Sequence, residues 1–391
     1  MSDVIVIGAG AAGLMCAISA ARRGRSVLVL ERGARVGAKI LISGGGRCNF
    51  TNLGAGPENY LSTNPDFCKS ALARYTPQDF LALVERHGIR WHEKKLGQLF
   101  CDRSSREIVE MLERECADAH VMIRTGVEVK AVRRVADAEG FVVETQDDTL
   151  FAPRLVVATG GLSLPKLGAS DFAFRMAAQF GLRMVPPRAG LVPFTFGGEE
   201  LECCRALSGI SAPCTVEADG GPKFTEHFLF THRGLSGPAM LQVSSFWQAP
   251  GEIRINLFPG AEARDWLEAN RGSGKRLDTL LAMRLPERFA TALAARLGEV
   301  KALRAYSAPE LNEIARGLKA WTLRPAGTEG YATAEVTVGG VDTRGLNSKT
   351  MEVRGAPGLH FIGEAVDVTG WLGGYNFQWA WASGHACGEA V

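Results

Sequence analysis

Apolar positions along this chain fall into two kinds of pattern, and their order predicts the architecture. Val4-Ile5-Val6-Ile7 and Val27-Leu28-Val29-Leu30 are unbroken apolar runs, the signature of strands covered on both faces, and an amphipathic helical stretch separates them. The opening residues therefore predict a βαβ unit. Leu155-Val156-Val157-Ala158 and Leu359-His360-Phe361-Ile362 are two further buried strands. Helical spacing covers 66–75, 77–87 and 104–119, with Pro77 near a first turn and Ser104 as an N-cap, and recurs over 171–180, which stops at Gly181, and over 376–390. Residues 127–135 alternate at period two and 141–145 pair with them, a β-meander. From about Met184 the pattern changes: Pro186-Pro187, Pro193, Gly197-Gly198, Pro213 and Gly220-Gly221-Pro222 punctuate short alternating runs. That is an inserted antiparallel β module. A helical, Arg- and Ala-rich stretch at 263–318 follows, and strand character returns over 332–338. Residues 37–52 hold too much glycine for a helix or a strand and are expected to wrap a ligand as a loop.

Chemistry enters at the first strand-to-helix turn. Gly8-Ala9-Gly10-Ala11-Ala12-Gly13 follows a strand and opens a helix, the context in which this glycine spacing binds a dinucleotide. Gly8 permits the turn, Gly10 admits a pyrophosphate and Gly13 lets helix and sheet approach, while Ala11 and Ala12 carry amides at a helix N-terminus. Glu31, eighteen residues past Gly13, closes the second strand beside Arg32, where a carboxylate accepts hydrogen bonds from ribose hydroxyls and repels a 2′-phosphate.

Composition narrows the partners. The chain has 391 residues, enough for two or three domains, and 44 Lys plus Arg against 42 Asp plus Glu leave a formal charge of +2. Bulk charge therefore recruits neither nucleic acid nor an anionic membrane, and both are expected to be absent from its partners. The first strand begins without a basic or apolar leader and no apolar run reaches eighteen residues, so a cytoplasmic protein is expected. Nine cysteines without a repeating frame predict reduced thiols and no metal site.

The distant C-terminal segment discriminates between nicotinamide and flavin. A second domain would supply the catalytic residue of an ordinary NAD dehydrogenase, whereas a glutathione-reductase-type FAD domain is completed by a late strand, G-[DE] and a helix aimed at the flavin pyrimidine. Gly363-Glu364 has that form, Gly373-Gly374-Tyr375-Asn376 offers backbone donors at a helix start, and Ala158-Thr159-Gly160-Gly161 matches the A-T-G turn of the class. These features predict FAD. The expected fold is α/β: a Rossmann-like FAD-binding domain of glutathione-reductase type, mostly parallel sheet plus β-meander, with an inserted antiparallel β-barrel-like domain and a helical extension. The boundaries are 1–183 and 336–391 for the FAD domain, 184–262 for the β-rich insertion, 263–318 for its helical part and 319–335 for its return strand.

Four blocks carry a family resemblance: Gly44-Gly45-Gly46-Arg47-Cys48-Asn49-Phe50-Thr51-Asn52, Phe230-Thr231-His232-Arg233-Gly234-Leu235-Ser236-Gly237-Pro238-Ala239, Val336-Thr337-Val338-Gly339-Gly340-Val341, and the run from Gly363 to Gln378. Together they resemble the BaiN/YhiN-type NAD(P)/FAD-dependent oxidoreductases. The resemblance implies a two-dinucleotide-binding-type FAD domain with the same insertion. Many members of that family have no established substrate, and one group is associated with reducing carbon–carbon double bonds in oxo bile acids.

Residue roles follow from position. Arg47 and Asn49, with Gly45 and Gly46, are candidate contacts to flavin or pyrophosphate, Lys39 to the flavin edge, and Cys48 is a packed or cofactor-adjacent thiol, because no second thiol follows at disulfide spacing. Val127 or Val129 is expected to meet adenine through its backbone. Glu364 is expected at the ribityl chain, Asp367 there or on the pyrophosphate side through water, and Tyr375, Asn376 and Gln378 beside the isoalloxazine. For proton donation His232 is the first candidate acid and Tyr375 the second, with Arg233 anchoring substrate. The expected activity is reduction of a polarised double bond in a small organic substrate, the insertion roofing the flavin and NAD(P)H donating transiently, since no second complete fingerprint is present. A flavin-dependent oxidase, a tRNA-modifying flavoprotein and a non-catalytic redox sensor stand as alternatives, and the subunit count is open.

Overall fold

The computed structural model describes residues 2–135, 139–218 and 220–391. They separate into two compact units, Met1–Arg188 with Val336–Val391, and Ala189–Glu335. The first divide falls five residues beyond the expected 183/184, within the strand Met184–Gly190.

The first unit is built on a five-stranded parallel sheet in the order Leu359–Phe361, Arg154–Val157, Val4–Ile7, Val27–Glu31, Met122–Thr125. Its central strand is covered on both faces, which is why Val4–Ile7 reads as a continuous apolar run. Helix Ala11–Arg22 follows the first strand, and the last helix, Tyr375–Gly388, lies directly against it. Glycine makes that packing possible. A Cβ at Gly384 would sit 2.4 Å from the Ala12 carbonyl oxygen and one at Gly388 2.6 Å from that of Cys16, so both positions require a bare backbone. Hydrogen bonds fasten the same pair of segments, Ser19 Oγ to His385 Nδ1 at 3.1 Å and Arg23 Nη1 to the Val391 carbonyl at 3.0 Å. The two termini of the sequence thus form one layer over the sheet.

A three-stranded meander, Val129–Val135, Gly140–Thr145 and Thr149–Ala152, lies where alternation predicts it. The segment 37–52 corrects its expectation. Ala38–Ile42 is a short helix and Asn49–Asn52 a strand, paired with Gln98–Cys101, which in turn pairs with Trp91–Glu93. Gly44 to Gly46 keep the positive φ of a glycine loop, as do Gly37 before it and Cys48 after it. Tertiary pairing supplies the strand that local composition hides.

The second unit carries a seven-stranded antiparallel sheet from Trp321–Leu323 at one edge through Ile253–Asn256, Ser211–Ala218, Phe224–Thr231, Gly234–Ser236 and Phe194–Thr195 to Gly327–Thr328. Helices Ala263–Ala269, Leu277–Leu281, Glu287–Leu297 and Ala308–Lys319 realise the expected helical part. Phe289 packs against Phe228, Phe230 and Trp321 of the sheet with ring centroids 5.1–5.8 Å apart. Two helices were hidden by turn residues, Gly198–Ala206 and Pro238–Ser244. Gly197 is the first helix's N-cap, with Glu199 and Glu200 favouring its positive end, and Pro238 opens the second where its missing N–H costs nothing.

Candidate functional site

The site of the first unit begins at the turn from Val4–Ile7 into Ala11–Arg22. Gly8 has φ +105° and a Cβ there would lie 2.6 Å from the Ala158 carbonyl oxygen, while a Cβ at Gly13 would lie 2.0 Å from the carbonyl oxygen of Gly8. Both glycines are demanded by the protein itself. Gly10 differs: nothing lies within 4 Å of its Cβ position, so the space above it is open. It caps the helix without any side-chain hydrogen bond, and no acidic residue occupies the first turn, which leaves the amides of Ala11, Ala12 and Gly13 at a positive, uncapped helix end.

Glu31 turns back over this opening. Its Oε2 accepts from the Ala9 amide at 2.8 Å and its Oε1 from Gly33 at 2.6 Å, so the carboxylate stands between the fingerprint turn and solvent. Arg32, at its side, is exposed and donates to the Gly168 carbonyl. Val127, rather than Val129, is fixed to this corner: its amide donates to the Glu31 carbonyl at 2.9 Å, whereas Val129 starts the meander opposite Thr145.

Across the sheet, Ala158-Thr159-Gly160-Gly161 follows the strand next to the first. Thr159 Oγ1 is buried and has no hydrogen-bond partner among the described residues, an orphan of the kind that a bound ligand can satisfy. Gly161 stands so close to Thr337 and Glu364 that a Cβ would lie 2.4 Å from Thr337 Oγ1. Gly363 meets the fingerprint helix, its Cβ position 2.8 Å from the Ala12 Cβ.

Glu364 then gathers a network. Lys39 Nζ donates to Glu364 Oε2 and to Ser163 Oγ, both at 2.6 Å; Ser163 Oγ and the Thr337 amide donate to Glu364 Oε1 at 2.8 and 2.9 Å. Burial pushes the carboxyl's pKa up, but the Lys39 ammonium and these hydrogen bonds outweigh it and hold the pKa below its ordinary value. Ser163 and Thr337 carry this arrangement and escaped the sequence reading, because single hydroxyls beside a glycine turn have no pattern of their own.

Several expected contacts turn out to hold protein. Gln378 is fully buried, with Thr51 Oγ1 donating to its carbonyl at 2.7 Å and its own amide donating to the Tyr75 carbonyl at 2.8 Å, so it anchors the last helix. Asn376 folds its amide onto Gly370 N and O, each at 2.9 Å, and onto Trp371, closing the loop before that helix. Asp367 is buried and accepts from Thr63 N at 2.8 Å and Oγ1 at 2.7 Å. Asn49, in the orientation that satisfies its neighbours, donates to the Leu99 and Thr51 carbonyls and accepts from the Gly374 amide at 3.2 Å, so it pins Gly374. Cys48 is a packed thiol, fully buried, its pKa pushed up to about 12 by burial against a smaller opposing hydrogen bond from Ser43. Arg47 is exposed, and Gly45 and Gly46 have empty space at their Cβ positions, so this loop remains open to a ligand.

Tyr375 opens the last helix behind Gly374, which has φ +96°. Its carbonyl accepts from Tyr60 Oη at 2.9 Å and its ring packs edge-on against Tyr60 and Trp371, with centroids 6.4 and 6.2 Å away. Burial, with Glu58 adding to it, raises its pKa above the ordinary tyrosine value. His232 and Arg233 belong to the second unit, in an exposed turn where Arg233 faces Glu329 at 3.9 Å. Tyr375 is the candidate acid that the first unit itself provides.

An open glycine turn, a carboxylate closing the second strand, an orphan hydroxyl at the A-T-G turn, and a late strand and helix completing the same sheet define a Rossmann flavoprotein with an FAD site of glutathione-reductase type. The chain belongs to the HI0933-like family: the model of the HI0933-like protein Rossmann domain matches residues 2–390. It is 52% identical to the ribosomal RNA dihydrouridine synthase of Escherichia coli (strain K12), across 99% of this chain and 97% of that one. Identity to the ribosomal RNA dihydrouridine synthase of Haemophilus influenzae (strain ATCC 51907 / DSM 11121 / KW20 / Rd) is 48%, covering 100% and 98%. A 3-dehydro-bile acid delta(4,6)-reductase of Clostridium scindens (strain ATCC 35704 / DSM 5676 / VPI 13733 / 19) is 30% identical over 100% and 99%.

Proposed function

We infer that this protein is an FAD-dependent reductase of a polarised carbon–carbon double bond, and that its substrate is the uracil ring of a uridine in ribosomal RNA. The observation that carries this reading is the 52% identity, end to end, with a protein named for that product. Chemistry joins it to the bile-acid relative. The C5–C6 bond of uracil is conjugated to the C4 carbonyl, so it accepts hydride at C6 and a proton at C5, as an enone does at its β and α carbons. RNA replaces the small organic substrate that sequence alone favours; a balanced total charge describes the average surface and leaves local contacts free.

Bound FAD supplies hydride, drawn in this reading from NAD(P)H. The protein's own groups bind, orient and protonate. The amides behind Gly10 would receive a pyrophosphate, Glu31 would accept from ribose hydroxyls, and Thr159 Oγ1 would find its missing partner on the cofactor. Glu364, kept ionised by Lys39, offers acceptor oxygens toward the ribityl side. The start of helix Tyr375–Gly388 would turn its positive dipole end toward negative charge developing on the bound ring, and Tyr375 Oη, whose pKa burial raises, would be the donor to C5.

The test is direct. FAD-loaded protein is mixed anaerobically with NADPH or NADH and ribosomal RNA transcribed in vitro, and the digested nucleosides are weighed by mass spectrometry. Dihydrouridine above the protein-free control supports the reading. Its absence, with a steroid dienone reduced under the same conditions, transfers the site to the small-molecule reading that the bile-acid relative favours.

A further inference from the structure

The hairpin joining Trp91–Glu93 to Gln98–Cys101 carries an anomaly at its tip. Lys94 N donates to the Gln98 carbonyl and Gln98 N to the Lys95 carbonyl, both at 3.0 Å, which leaves Leu96 and Gly97 as the two central turn residues. Both have positive φ, +51° and +75°, the signature of a type I′ turn. Such a turn wants Asn, Asp or Gly at its first central position. Here it holds a leucine, 67% exposed, flanked by two exposed lysines. A bulky apolar side chain in the left-handed region that stays mostly exposed is neither good turn chemistry nor core packing.

The tip is tied to the candidate site by one buried side chain. Asn52 Nδ2 donates to the Leu96 carbonyl at 3.1 Å and to the Gly373 carbonyl at 2.9 Å, while its Oδ1 accepts from Gly54 N at 2.9 Å. Gly373 is also pressed against Gln98 of the hairpin, its Cβ position 2.8 Å from Gln98 Nε2. The turn therefore stands one amide away from the loop that leads into Tyr375. Glu93 Oε1 accepts from the Gly97 amide at 3.0 Å, which fastens that carboxylate to the turn.

We propose that Leu96, carried between Lys94 and Lys95 on this hairpin and held beside the Gly373–Tyr375 loop by Asn52, is an apolar wedge that enters the RNA base stack and frees the target uridine. This rests on the ribosomal RNA reading above. A stacked uracil cannot present C5 and C6 to a flavin face, so a folded target must be unstacked, and an apolar side chain fills the gap that the base leaves. Two lysines beside the wedge meet the phosphates on either side, a local contact that total charge does not register.

Leu96→Asn tests the wedge, because asparagine suits the turn while removing the apolar side chain; Lys94→Gln with Lys95→Gln tests the phosphate contacts. Dihydrouridine formation is measured on folded in vitro-transcribed ribosomal RNA and on an unstructured uridine-rich strand, with flavin content and thermal midpoint recorded for each variant. The expected result for Leu96→Asn is about a tenfold slower reaction on folded RNA, shrinking to about threefold or less on the unstructured strand. The double lysine variant is expected to lower the slope of log binding constant against log salt by about two. Equal rates for wild type and Leu96→Asn on folded RNA, with wild type active, overturn the wedge and leave the proposed function standing. A wild type that neither binds nor reduces RNA overturns both.

Discussion

Lys39 Nζ lies 2.6 Å from Glu364 Oε2, so residues 325 positions apart form the ion pair at the junction of the two halves of the flavin site. Glu364 is held ionised by that cation and by Ser163 and Thr337, and its pKa sits below the ordinary carboxylate value. Its contribution to stability is therefore full above the unfolded-state pKa, about 4.3, and is lost as pH falls through the lower folded value. Lys39→Met removes the cation and raises the folded pKa. We expect a loss of about 1–2 kcal/mol at pH 7, modest because both side chains reach solvent, and a gap between variant and wild type that narrows as pH drops below 4. Urea midpoints at the two pH values check this, and a gap that widens in acid contradicts it.

Gly10 and Gly13 separate binding from packing. A side chain at Gly10 meets open space, so Gly10→Val is expected to unfold within about 0.5 kcal/mol of wild type yet retain at least about tenfold less FAD. Gly13→Ala drives a methyl group onto the Gly8 carbonyl and should cost about 1–3 kcal/mol before any ligand is considered. Flavin absorbance after gel filtration, read beside the thermal midpoint, distinguishes the two, and full flavin retention by Gly10→Val removes the claimed role of the turn.

The helix contact at Gly384 makes a prediction at a distance. Gly384→Leu pushes against Ala12 of the fingerprint helix, so it should weaken FAD retention and stability together, by about 1–3 kcal/mol in the latter. Unchanged flavin content in a destabilised Gly384→Leu protein would separate the helix layer from the site.

Burial governs thiol chemistry. All nine cysteines are free, eight are buried, and only Cys203 is half-exposed; the Cys48 thiol, at about 12, is essentially protonated at pH 8. Iodoacetamide at that pH should modify Cys203 slowly and the remainder only after denaturation. Rapid labelling of Cys48 in the native protein, read by peptide mass spectrometry, would show that it lies open to the site.

Much of the first unit is legible in the chain because its signals are local. Val4–Ile7 and the first four residues of Val27–Glu31 are apolar, as strands covered on both faces are, and Gly8 and Gly13 sit where a side chain would strike backbone. Illegible features depend on partners far away in sequence. Asn49–Asn52 becomes a strand only because Gln98–Cys101 lies beside it. Asn376, Gln378 and Asp367 carry polar atoms suited to a ligand, and those atoms also bond Gly370, Thr51, Tyr75 and Thr63, partners that residue type cannot disclose. Asn52 and Ser163 are the converse, unremarkable in sequence and central to the hydrogen bonding of the site.

The most direct measurement is the anaerobic oxidative half-reaction. Protein carrying FAD is reduced with one equivalent of NADPH or NADH, freed of nucleotide, and mixed with in vitro-transcribed ribosomal RNA while flavin absorbance is followed. The account predicts that the yellow colour returns with RNA, in step with dihydrouridine formed one for one, and fails to return with the same RNA whose uridines are already saturated at C5–C6. Reduced flavin that persists in the presence of RNA, or a preparation that binds no FAD at all, contradicts it.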